Sequence, residues 1–138
     1  MTRTDATRSS APDVASGAAA LGWAAVDVLL VLVFAASGRR THEHGVTVAG
    51  VLDTAWPFIA AYVLAALLLR AWRSPSAVWP TGVVLWLATV GGGLGMRAVS
   101  GAGVAPSFQV VTLLVLGVFL LAPRAVALTL RRRRRRVA

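Results

Sequence analysis

The chain has 138 residues, of which 57% are hydrophobic and 14% are charged, and its mean hydropathy is +0.74. A soluble domain carries about 45–50% apolar and about 25% charged residues, so this composition excludes an ordinary soluble protein. The chain contains no Cys, which excludes disulfides and thiolate metal sites. Its net charge is +9, and six of the positive charges lie in the run Arg131 to Arg136.

The chain begins with a polar segment, residues 1–17, whose composition predicts a disordered tail. Four apolar runs follow, each near the roughly 20 residues that span a hydrocarbon core about 30 Å thick. The predicted helices are Ala18 to Ser37, Val46 to Leu69, Val78 to Val99 and Phe108 to Leu130. In lipid the backbone must satisfy its own hydrogen bonds, so these runs are read as helices.

The connections between the runs are short, which makes neighbouring helices antiparallel. The predicted fold is therefore all-α: a polytopic membrane protein with four transmembrane helices in one antiparallel bundle, residues 18–130. A polybasic tail, residues 131–138, is expected to follow the bundle.

The distribution of arginine predicts the orientation. Eleven arginines fall on the side that holds both termini, and three fall on the other side. Because cytoplasmic loops carry the excess of positive charge, both termini are predicted to be cytoplasmic, in a bacterial inner membrane.

Charged side chains inside the apolar runs are the candidates for function. A charge in lipid costs roughly 2.5–3.5 kcal/mol on insertion scales, so each such residue is a functional hypothesis that needs a partner. Asp27 lies about 15 Å from the first helix end at Ser37, and Asp53 about 10 Å from the start at Val46. Both are therefore placed in the outer half of the bundle. The predicted polar cluster comprises Asp27, Asp53, Arg97, Arg39, Arg40 and His42.

Alternatives to this cluster remain open. In a purely structural interpretation, Asp27 is a neutral, protonated carboxyl that is hydrogen-bonded to another helix. Arg97 is then a side chain that extends to the interface. Asp53 belongs either to a functional site or to a structural ion pair with Arg39, Arg40 or Arg97.

Pro57 adds weight to Asp53. Proline has no N–H, so the carbonyl four residues earlier, that of Asp53, loses its helical partner. The pattern predicts a kink at Pro57, which either serves the site or only shapes the packing.

The loop residues His42, Glu43 and His44 do not match the His-Glu-x-x-His spacing of a zinc helix. A solvated loop or a pH-responsive cap is the favoured interpretation, and no metal or cofactor is predicted. Catalytic serine elbows, phosphate loops and dinucleotide fingerprints are missing from the sequence, so a non-enzymatic protein is expected.

Two further features concern partners. Gly91 and Gly95 form a G-x-x-x-G pair, which favours tight intramolecular helix packing, with a homodimer contact as the alternative. The block Arg131 to Arg136 is expected to bind anionic lipid headgroups, at about 1 kcal/mol per charge. Nucleic acid is not expected as a partner, because no aromatic residues are interleaved with the block.

Three stretches carry a family resemblance: Gly38 to His42, Gly50 to Phe58 and Trp79 to Val83. With these residues the chain resembles domain of unknown function 3054, a family of small four-helix membrane proteins of high-GC bacteria. The resemblance covers about Val26 to Leu121. It implies the fold and the membrane location and transfers no catalytic role.

The sequence thus favours a small carrier or channel-like membrane protein that uses the polar cluster. The competing hypothesis is a structural or accessory subunit in which the ion pairs only stabilise the bundle.

Overall fold

The computed structural model describes residues 13–39 and 47–137, with side chains from 17–38 and 47–137. In this part of the chain there are four long helices and no strand: α1 (Asp13–Arg39), α2 (Val48–Leu68), α3 (Val83–Val99) and α4 (Pro106–Val137). The stretches long and apolar enough to cross a membrane are Gly17–Gly38, Val48–Leu68, Val78–Val99 and Pro106–Val137. The predicted all-α fold is confirmed.

The helices form an antiparallel bundle in which each packs against its neighbours in the chain and α4 returns to contact α1. One end, called here the terminal end, holds the end of α4 and the connection between α2 and α3, with a short 3₁₀ turn at Ala71–Arg73. The opposite end, called the loop end, holds the beginning of α2 and the connection between α3 and α4.

Two helices extend beyond their predicted bounds. α1 begins at Asp13, inside the segment predicted as a tail, and residues 1–12 lie outside the described part. α4 continues to Val137, so Arg131 to Arg136 of the predicted polybasic tail are helical. Arginine is a good helix former, and 32 residues extend about 48 Å, well past a core of about 30 Å.

The third predicted run is divided near its beginning. Val78–Gly82 forms a wide π-type turn in which Trp79 is extended, with φ −121° and ψ 139°. The residue before a proline is disfavoured in the helical region, and Pro80 follows Trp79. The regular helix α3 therefore begins only at Val83.

α2 is one continuous helix that contains Pro57, whose side chain is buried. Thr47 caps its beginning, where its hydroxyl accepts a hydrogen bond from the Gly50 N–H at 3.2 Å. The bend predicted at Pro57 stays a prediction.

The core of the loop-end half is built on three rings, Phe34, Phe58 and Phe108, called here the phenylalanine cluster. The Phe34 and Phe58 centroids lie 5.6 Å apart in an edge-to-face arrangement, and Phe108 lies 6.3 and 6.4 Å from them. Such pairs add stability beyond the area they bury.

Glycines of α3 let α2 approach this core, but not the pair that was predicted. A Cβ on Gly93 would overlap the Phe58 ring, and one on Gly92 would lie 2.8 Å from the Ala61 Cβ. Gly91 and Gly95 are exposed, with open space beside them. The intramolecular packing predicted for Gly91 and Gly95 is therefore wrong, because at about 100° per residue they share a different face of the helix from Gly92 and Gly93.

Candidate functional site

Asp27 of α1 and Arg124 of α4 form a buried ion pair. The guanidinium donates two hydrogen bonds to the carboxylate, from Nη1 to Oδ1 at 2.9 Å and from Nη2 to Oδ2 at 2.6 Å. Asp27 is fully buried and Arg124 is 2% exposed. This is the bidentate geometry in which a guanidinium holds a carboxylate most strongly.

Further polar contacts complete the pair. The Tyr62 hydroxyl of α2 donates to Asp27 Oδ2 at 2.7 Å. Arg124 also donates to two backbone carbonyls, from Nε to Pro75 at 3.1 Å and from Nη1 to Leu120 at 2.6 Å. The network joins three helices and the connection between α2 and α3, so both charges are solvated by protein.

Local sequence places these groups. Trp23 lies one turn before Asp27 on α1, and its ring centroid lies 5.2 Å from the Arg124 Cζ, a cation–π distance. Gly82 brings the chain close to the Arg124 stem, since a Cβ there would lie 3.0 Å from the Arg124 Cδ. Such a Cβ would lie even closer, 2.7 Å, to the Ala77 carbonyl oxygen, so the backbone as well as Arg124 requires a small residue at position 82.

The expectation that Asp27 lies in one layer with Asp53 and Arg97 is wrong. Tyr62, Pro75 and Arg124 place it toward the terminal end, whereas the other two residues lie at the loop end. A carboxylate near the middle of a helix can face partners from either half, and sequence depth alone does not choose between them.

Arg124 and Tyr62 are functional candidates that the sequence reasoning missed. A signal was present: Arg124 lies six residues inside the predicted end at Leu130, or about 9 Å deep, and Asp27 lies about 14 Å from the predicted start at Ala18 on the same side. Arg124 is therefore a fourth charge inside an apolar run.

Asp53 and Arg97 line the same cavity, of about 350 Å³, at the loop end, called here the loop-end cavity. Its lining residues are Asp53, Trp56, Pro57, Arg97, Ser100, Gly101 and Ala102. The described residues give Asp53 neither an ion pair nor a hydrogen bond, so the pairing predicted with Arg97 is not formed. The Arg39 side chain and residues Arg40 and His42 lie outside the described part.

Arg97 is only partly satisfied. Its Nη2 donates to the Gly103 carbonyl at 3.4 Å, a long hydrogen bond, and its Cζ lies 4.9 Å from the Phe108 ring centroid. Its Nε is buried without a hydrogen-bond partner. Its head is thus held against protein, and it does not extend freely to the interface.

A second cavity, of about 550 Å³, lies at the terminal end and is called here the terminal-end cavity. Trp23, Tyr62, Trp72 and Arg124 are among its mostly apolar lining. Along α2, Pro57 lines the loop-end cavity, Phe58 belongs to the phenylalanine cluster and Tyr62 lines the terminal-end cavity. The cluster thus lies between the two cavities.

Within the described ranges, no three His, Cys, Asp or Glu side chains gather at a spacing that could hold a metal ion. His42 and its neighbours in the 40–46 segment lie outside those ranges.

A family model described as "Protein of unknown function (DUF3054)" matches residues 24–127. The chain belongs to the DUF3054 family. The match confirms the resemblance predicted for Val26 to Leu121, and the matched segment contains both the Asp27–Arg124 pair and the loop-end cavity. Neither the curated proteins nor the solved structures contain a match to this chain.

Proposed function

We propose that this DUF3054 protein is a non-enzymatic carrier of a small polar solute, which it binds in the loop-end cavity. The observation that carries the proposal is that Asp53 and Arg97 line one cavity without forming an ion pair. Charges kept apart at membrane depth are costly, so a role in binding accounts for them better than a role in stability.

The two charged sites differ in what they can offer to a solute. The Asp27 carboxylate is fully buried and accepts hydrogen bonds from Arg124 and Tyr62, so it has little capacity left for a ligand. Asp53 is exposed and accepts no hydrogen bond from the described residues. The binding function is therefore assigned to the loop end, and the role of Asp27 is to hold α1 against α2 and α4.

The cavities at opposite ends suggest how a solute passes. A carrier exposes its binding site to one side of the membrane at a time. The phenylalanine cluster separates the loop-end from the terminal-end cavity, and Gly93 is the position at which α3 lies against Phe58. A shift of α3 against α2 at this contact would open the path between the two cavities.

The proposed location is a bacterial inner membrane with both termini in the cytoplasm, so that the loop end faces outward. The bias of arginine toward the terminal end supports this orientation. The block Arg131 to Arg136, on the exposed last turns of α4, then lies where anionic headgroups are available.

A structural or accessory subunit is the second candidate. The Asp27–Arg124–Tyr62 network favours it, because these contacts hold three helices together whether or not a solute binds. Under this alternative, the chain acts by packing against another membrane protein.

Uptake into proteoliposomes separates the two candidates. The solutes are radiolabelled amines, carboxylic acids and amino acids of small size, tested one at a time. We expect saturable, protein-dependent uptake of at least one of them, which Asp53→Asn abolishes and which Ser107→Ala retains. Ser107 is an exposed residue at the same end that does not line the cavity. Folded protein that takes up none of these solutes would favour the accessory role.

A further inference from the structure

The loop-end cavity contains charges of both signs, and its chemistry indicates the class of ligand. We propose that it binds a small zwitterion, with the ligand's ammonium group on the Asp53 carboxylate and its carboxylate on the Arg97 guanidinium. This inference rests on the proposed solute-binding function and specifies the solute.

Arg97 supplies the anion-binding half. A guanidinium has five N–H donors in a planar fork that fits a carboxylate. The described residues occupy few of them: Nη2 makes one long bond, to the Gly103 carbonyl at 3.4 Å, and Nη1 donates to none of the described residues. A ligand carboxylate in the cavity can accept hydrogen bonds from these two terminal nitrogens, whereas Nε is enclosed by protein.

Asp53 supplies the cation-binding half. A carboxylate only accepts hydrogen bonds, and the described residues donate none to that of Asp53. Pro57 has no N–H, so the Asp53 backbone carbonyl also lacks its usual helical donor. Trp56, which is 46% exposed, lines the same cavity, and an indole ring is a favourable neighbour for an ammonium group.

Size and net charge narrow the choice. The volume of about 350 Å³ is at the low end of the range for ligand pockets, roughly 300–1,000 Å³. A simple cation would leave Arg97 unneutralised, and a simple anion would leave Asp53 unneutralised. A small amino acid or similar zwitterion neutralises both side chains and adds no net charge to the loop-end cavity.

Protection of a single cysteine provides the test, because the chain has no native Cys. Ser100→Cys places a thiol in the cavity wall, and Thr112→Cys places one in a fully buried position as the control. The reagent is a neutral maleimide, whose approach is not biased by nearby charges. Modification of the cavity thiol, with the buried thiol unreactive, reports that the cavity is open.

The probes are glycine, β-alanine and γ-aminobutyrate, with the amines and carboxylates of the same chain lengths. We expect one of the amino acids to slow modification of Ser100→Cys at a concentration about tenfold to a hundredfold below its monofunctional analogues, since it makes both charged contacts. In the Asp53→Asn background the preference should move to the carboxylate, and in the Arg97→Gln background to the amine. Because Asp53 is exposed, its variant keeps the test available if Arg97→Gln fails to fold.

The zwitterion proposal is overturned if amino acids, amines and carboxylates protect the thiol equally. It is also overturned if the thiol reacts and none of the three classes of probe protects it. Uptake of a simple amine or carboxylate would leave the carrier function in place and refute this ligand class. Zwitterion binding without uptake of any solute would support this ligand class and refute the carrier function. A loop-end thiol that does not react at all would contradict both proposals.

Discussion

The Asp27–Arg124 pair makes the sharpest prediction about stability. Replacing Asp27 with Leu keeps a side chain of similar size but leaves a guanidinium, 2% exposed, without its counter-ion and two hydrogen bonds. Removing one partner of a buried ion pair costs about 3–5 kcal/mol, mostly because the remaining charge is uncompensated. We expect Asp27→Leu to lower the free energy of unfolding by that amount.

The double variant Asp27→Leu/Arg124→Leu separates the charge effect from the packing effect. Exchanging both partners of a buried pair for apolar residues is often neutral or stabilising. Here the Tyr62 hydroxyl also loses its acceptor, so we expect a residual loss of about 1 kcal/mol. The double variant should therefore be more stable than either single variant.

The assay is reversible unfolding in mixed micelles, followed by the fluorescence of the five tryptophans. Asp53→Leu is the matched control: the same substitution at an exposed carboxylate without an ion pair, where no buried counter-ion is left behind and no loss of stability is expected. If Asp27→Leu costs no more than Asp53→Leu, or if the losses of the two single variants simply add in the double variant, the pair does not stabilise the bundle as reasoned.

Four further expectations follow from the packing and the topology. Gly93→Ala should destabilise the bundle by about 1–3 kcal/mol, since the added methyl overlaps a buried ring, whereas Gly91→Ala should be neutral or slightly stabilising; equal effects in the same unfolding assay would contradict the assignment of faces. Tyr62→Phe should cost about 1 kcal/mol for one lost hydrogen bond, and an unchanged unfolding free energy would show that this hydrogen bond does not stabilise the bundle. Changing Arg131 to Arg136 to Gln should weaken the binding of anionic lipid to the detergent-solubilised protein while leaving the binding of neutral lipid unchanged. A reporter fused after Ala138 should be active only in the cytoplasm, and periplasmic activity would overturn the topology.

The candidate sites were only partly accessible from the sequence. Asp53 and Arg97 were identified as charges near one end, and the structure does place them at one cavity. The partner of Asp27 was missed because Arg124 is 97 residues away in the chain, and only the closing of α4 onto α1 brings the two together. The choice of Gly92 and Gly93 as packing residues was equally out of reach, because it depends on the rotation of α3 about its axis.

By itself, the sequence determined the number of helices, their antiparallel order and their suitability for a membrane. These properties follow from apolar length and short connections, which are local along the chain. Only the tertiary structure decided which charges neutralise one another and which remain available. That choice depends on which faces of separate helices meet, and its consequence is that Asp27 is fully enclosed and paired whereas Asp53, at the opposite end, is not paired by the described residues.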